Sequence, residues 1–185
     1  DKDSNTSLQT WSVNDQVNKI DISEDGNYVV AGTGTYSSNS KVYLFSRSSS
    51  SALWSYDASG SVRSVSISAD GEYIVAGTYA PKIHVFDKDS STPLWTYTPA
   101  SSMDSVRTVS ISSDGYYVTA NIYYDNGDGD FGSKQYLFYR SSSTPIWKTD
   151  TIGDRSESVD MSANGSYFVV GLLDGDLYLY TPSGL

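Results

Sequence analysis

The residues of this chain whose types and spacing suit chemistry are oxygen donors, aromatic rings and a few cations in short irregular stretches. Residues 122–133 read IYYDNGDGDFGS and bring Asp125, Asn126, Asp128 and Asp130 together. Hard cations such as calcium take carboxylate and carbonyl oxygens from flexible loops, so these four form a candidate metal site. They depart from the EF-hand spacing: counted from Asn126, the position that wants glycine is Phe131, and no Glu closes the loop. The same composition also reads as a solvated, turn-rich insertion. Tyr36, Tyr79, Tyr123, Tyr124 and Phe131 fall on matching loops and suit an aromatic surface for a protein or glycan, because each ring offers a broad apolar face. Arg63, Arg107 and Glu157 share one position of a repeated segment with Asn18. Two guanidinium groups there would grip an anion with Glu157 as partner, or the three would neutralise one another in a salt bridge.

Reactive side chains are otherwise scarce. The one histidine, His84, aligns with Tyr43, Tyr136 and Tyr178, which makes it a packed substitute for tyrosine and not a base. With no cysteine, disulfides, thiolate metal sites and cysteine nucleophiles are excluded. No Ser-His-Asp set or phosphate-cradling glycine loop is present, and the acidic residues lie in turns, away from the buried setting a general acid needs. A hydrolase therefore ranks behind non-catalytic binding, and no cofactor is expected apart from calcium. Twelve Lys and Arg against 22 Asp and Glu give a net charge of -10, which repels nucleic acid and anionic membranes. No apolar run approaches the length of a bilayer span. The Ser- and Tyr-rich, Lys-poor, acidic composition fits an extracellular or cell-surface protein, and is also that of cytosolic proteins of salt-adapted organisms.

The elements that position these residues repeat. Asp25-Gly26, Asp70-Gly71, Asp114-Gly115 and Asn164-Gly165 recur at intervals of 44 to 50 residues, each followed two positions later by Tyr28, Tyr73, Tyr117 or Tyr167. Before each pair stand two alternating apolar residues and Ser23, Ser68, Ser112 or Ser162. Trp54, Trp95 and Trp147 close three copies, and Trp11 precedes the first. Each copy reads as four short strands: an alternating strand, an Asp-Gly turn, two nearly continuous apolar strands, and a strand carrying Trp. Sheets apolar on both faces need a neighbour on each side, and radial stacking supplies one. The expected fold is all-β, a β-propeller of four four-stranded blades over 8–185 with residues 1–7 as a tail.

Stretches such as SVRSVSISADGEYIVAGT resemble WD40-like repeats, and DKDSSTPLWTY resembles the PQQ-like repeats of archaeal and bacterial surface proteins. The resemblance implies a propeller serving as a scaffold; the Gly-His and Trp-Asp dipeptides of typical WD40 repeats are absent, and a PQQ-like blade does not imply the quinone. The last copy stops short of its Trp strand, while Trp11 marks a Trp strand without a blade. The N-terminal strand is thus expected to latch the ring. Three arrangements satisfy these ends: a closed four-bladed ring, two chains exchanging first strands in an eight-bladed homo-oligomer, or a segment of a longer array. Loops between second and third strands vary most, 8, 4, 12 and 4 residues for 33–40, 78–81, 122–133 and 172–175. That face is the candidate site of a non-catalytic module binding protein or glycan. The alternative is a structural subunit of a surface layer, filament or adhesin.

Overall fold

A computed structural model describes residues 5–35, 40–100, 104–125 and 131–182, without the side chain of Asp125. Among the described residues fifteen strands form four antiparallel sheets. Blade one holds β1 (Val17–Ile22), β2 (Tyr28–Thr33), β3 (Lys41–Ser46) and β4 (Ala52–Asp57). Blade two holds β5 (Val62–Ile67), β6 (Tyr73–Thr78), β7 (Ile83–Asp87) and β8 (Trp95–Tyr97). Blade three holds β9 (Ser105–Ile111), β10 (Tyr117–Asp125), β11 (Phe131–Tyr139) and β12 (Pro145–Lys148). Blade four has three strands among the described residues, β13 (Ser156–Met161), β14 (Phe168–Leu172) and β15 (Leu177–Tyr180). The innermost strands β1, β5, β9 and β13 border one polar cavity of about 310 Å³.

The recurring Ser, Asp or Asn, Gly and Tyr each have a task in the turn. Ser68 Oγ donates to Asp70 Oδ1 (2.6 Å) and accepts from Tyr73 N (3.0 Å), while Gly71, at φ +76°, donates its N–H to Ser68 O. Positive φ falls on the glycine and not on the acidic residue before it, whose carboxylate instead accepts the N–H of Glu72. Blades two, three and four then set this glycine against the tyrosine of the blade before. A Cβ on Gly71, Gly115 or Gly165 would lie 2.5, 2.5 or 2.4 Å from Cδ2 of Tyr28, Tyr73 or Tyr117. Only glycine leaves that ring its place.

Neighbouring blades also share backbone and apolar contacts. Glu24 N donates to Ala69 O, Ala69 N to Ser113 O, and Ser113 N to Ala163 O, at 2.9–3.0 Å. Val62, Val65 and Ile67 of β5 are buried between blades one and two, as are Val106, Val109 and Ile111 of β9 between blades two and three. At roughly 1.5–3 kcal/mol for each fully buried aliphatic side chain, these seams hold the blades together. Each Trp docks on the following blade: Trp54 on Phe86 (5.4 Å between centroids), Trp95 on Phe138 (5.4 Å) and Trp147 on Phe168 (5.5 Å).

Trp11 continues this series one step back. It stacks on Phe45 of blade one at 5.0 Å and its Nε1 donates to Ser49 O at 2.8 Å. The expected latch differs at its other end, since no strand among the described residues pairs with the outer edge of β15. The matching faces stay open: Ile20 is 61% exposed on β1, and Leu177 and Leu179 are 77% and 70% exposed on β15. Among the described residues the four blades therefore form an arc with one uncovered face at each end.

Candidate recognition site

The starts of the innermost strands and the turns between second and third strands lie at one end of the array, since each first strand runs antiparallel to the second. Asn18 is structural there, donating Nδ2 to Gly34 O (2.7 Å) and across to Val62 O of blade two (3.0 Å). Arg63 places its guanidinium 5.2 Å from the centre of the Tyr79 ring, a cation–π contact that steadies an exposed tyrosine. Arg107 crosses from blade three to bond Glu157 Oε1 at 2.8 Å, and Arg155 Nε approaches the same oxygen at 2.9 Å. Arg63 thus stands with Tyr79, while Arg107 and Glu157 form a separate ion cluster.

The longest turn is shorter than the sequence suggests. Strands β10 and β11 stay in register up to the Asp125–Phe131 pair, so they take in residues 122–125 and 131–133 of the expected loop. Tyr36, Asn126, Asp128 and Asp130 lie outside the described residues, as does the Asp125 side chain, and with them the calcium reading. Tyr123 and Phe131 face each other on this hairpin at 6.5 Å, and Phe131 is exposed. Tyr124 does not belong to the exposed surface. Its ring is buried beneath Lys134 Nζ (4.8 Å), and its hydroxyl bonds Thr151 Oγ1 (2.7 Å). Gly132 makes this possible, since a Cβ there would lie 2.5 Å from Thr151 Cγ2.

His84 takes the place of a tyrosine inside blade two. It packs against Tyr56 and Phe86, with Nδ1 2.9 Å from Thr96 Oγ1. Burial, with a smaller push from Lys82, lowers its pKa to about 4, so the ring is neutral at pH 7.

A second recess lies at the opposite end, between blades three and four. It encloses about 410 Å³ and is lined by Tyr117, Tyr139 and Ile146 of blade three and by Asn164, Gly165, Ser166 and Pro182 of blade four. Tyr116, Tyr117 and Tyr139 cluster here with centroids 4.9–5.6 Å apart. Burial, the neighbouring phenols and Asp114 hold the Tyr117 hydroxyl above its ordinary pKa. Loop-length reasoning misses this recess because its turns are uniform. The signal lies in the column Arg47, Lys88, Arg140 and Pro182, where only the last copy lacks a cation.

Antiparallel sheets of four strands, three in blade four among the described residues, stacked about a common cavity with a Trp docking each blade on the next, are the architecture of a β-propeller repeat protein. The model of the WD domain, G-beta repeat matches residues 5–46 and 50–87, that is, blades one and two. No curated protein matches the chain. Under half of the chain is matched: blades one and two carry WD40 repeats, which generally mediate protein interaction or scaffolding, and the architecture of the four blades fits a WD40-like propeller.

Proposed function

We propose that this chain is a non-catalytic recognition module, working at the cell surface or outside the cell, that binds a protein partner through the end carrying Tyr79, Tyr123 and Phe131. The observation that carries this reading is the Arg63–Tyr79 pair: an exposed ring immobilised by a cation on a rigid strand loses little entropy on binding. Phe131 offers a second exposed ring on the neighbouring blade. The test compares proteins crosslinked to the wild-type chain and to Tyr79→Ser/Phe131→Ser in extracts of the source organism. The double variant is expected to lose specific partners at unchanged melting temperature. Retention of the same partners, or binding to an oligosaccharide array and to no protein, would refute it.

A second reading, a self-assembling structural subunit, draws on the open end faces. A Cβ on Gly32 or Gly77 would lie 2.5 Å from Val62 or Val106 of the next blade, whereas Gly171, at the same position of blade four, faces only its own Leu177 at 3.4 Å. Tyr167 is likewise exposed where Tyr28, Tyr73 and Tyr117 meet a glycine of the next blade. Val17 and Gly26 of a second copy have the types these positions receive elsewhere, and its Trp11 segment would lie beside β15. Light scattering is expected to show oligomers that Gly171→Val disperses without unfolding the chain; a monomer at every concentration would end this reading.

A further inference from the structure

We propose that the recess between blades three and four is a slot for a lysine or arginine side chain of a protein partner. Two other blade junctions supply the template. At the first, Lys88 of blade two sets Nζ 5.5 Å from the centre of the Tyr28 ring of blade one. At the second, Arg140 of blade three sets its guanidinium 3.6 Å from the centre of the Tyr73 ring of blade two. The same two residues also offer their carbonyl oxygens to the Trp of the preceding blade, Trp54 Nε1 to Lys88 O at 2.7 Å and Trp95 Nε1 to Arg140 O at 2.6 Å. One cationic residue thus serves both a Tyr ring and a Trp at each junction.

At the third junction the Tyr and the Trp are retained and the cation is not. Tyr117 occupies the place of Tyr28 and Tyr73, with its ring against Gly165 as theirs lie against Gly71 and Gly115. Pro182 stands where Lys88 and Arg140 stand, and it has no charge to offer. Trp147 Nε1 is buried and has no acceptor among the described residues, although Pro182 carries a backbone carbonyl as Lys88 and Arg140 do. The recess beside Tyr117 is widened on its aromatic side by Tyr139, where blades one and two carry Ser46 and Asp87. An incoming cation would meet the faces of Tyr117 and Tyr139, with the nearby Asp114 carboxylate and a chain of net charge -10 favouring its approach. An anionic or purely aliphatic group would gain neither.

Titration of the 15N-labelled chain with the blocked peptide acetyl-Gly-Gly-Arg-Gly-Gly-amide, followed by amide shifts, tests the slot. Saturable shifts are expected at Gly165 and Ser166 and not at Gly71 or Gly115, whose tyrosines are already covered. The peptide with citrulline in place of arginine, equal in shape but neutral, is expected to bind about tenfold more weakly, in line with one desolvated cation–π contact. Pro182→Arg places the cation within the chain, as Arg140 does. It is expected to keep the fold, raise the melting temperature and abolish the shifts. Shifts absent throughout the millimolar range, equal for the neutral peptide, or undiminished in a folded Pro182→Arg chain would each overturn the proposal.

Discussion

Replacing each docking tryptophan with phenylalanine separates the indole N–H from the rest of the ring. Trp54→Phe and Trp147→Phe lose similar ring area against a buried partner, Phe86 in one case and Phe168 in the other. They differ in what happens to the donor. Trp54 Nε1 gives its proton to Lys88 O at 2.7 Å, a bond contributing about 0.5–1.5 kcal/mol net. Trp147 Nε1 is buried with no acceptor among the described residues, which costs the native state about 1–3 kcal/mol that phenylalanine would remove. Trp54→Phe should therefore be the more destabilising by roughly 1.5–4.5 kcal/mol, with Trp95→Phe resembling it. Urea unfolding followed by far-ultraviolet circular dichroism reads this directly. At a slope of about 2 kcal/mol per molar, the two midpoints should differ by about 1–2 M with the slope unchanged. Equal losses, or a greater loss for Trp147→Phe, would refute the account of how the blades are docked.

Three further expectations concern the same framework. Gly77→Ala would press a methyl 2.5 Å from Val106 Cγ1 and 3.0 Å from Val109 Cγ1 and should cost about 1–3 kcal/mol in thermal unfolding, whereas Gly171→Ala, measured in dilute solution, should be neutral or slightly stabilising. Because burial lowers the His84 pKa from 6.5 to about 4, the unfolded chain takes up a proton in that interval that the folded chain refuses. Stability should thus be full above pH 6.5 and fall as pH drops towards 4, by up to about 3 kcal/mol from this group, and His84→Tyr should flatten that part of the urea-midpoint profile. Ser68→Ala removes both the acceptor for Tyr73 N and the donor to Asp70, and should lower stability by about 1–3 kcal/mol in the same assay.

The blades were legible because their signature residues contact one another across the repeat. Gly71 is glycine because Tyr28 lies over it, and Ser68 is serine because the turn needs an atom that both donates and accepts. Such constraints recur with every blade and appear in the sequence as a period. The hairpin of β10 and β11 was hidden for the opposite reason. Its Asp- and Gly-rich composition signals a loop, while the ladder from Tyr117–Tyr139 to Asp125–Phe131 depends on cross-strand pairing that local composition does not report. Burial of Tyr124 depends on Thr151 approaching through the space left at Gly132, from outside the hairpin.

The recess at Tyr117 shows where function is to be sought in a chain of this kind. Every junction between blades must satisfy the same ring, the same indole and the same glycine, so departures from the pattern at a junction carry an energetic cost unless something else meets it. Loop length can vary without such a cost, which makes it a weak signal of selection for binding. Pro182 departs where the cost is definite: it leaves one ring without the cation that Tyr28 and Tyr73 receive. A binding partner that supplies the cation would recover part of that cost. On this reasoning the broken column marks a second position at which recognition should be tested, beside the end that carries Tyr79 and Phe131.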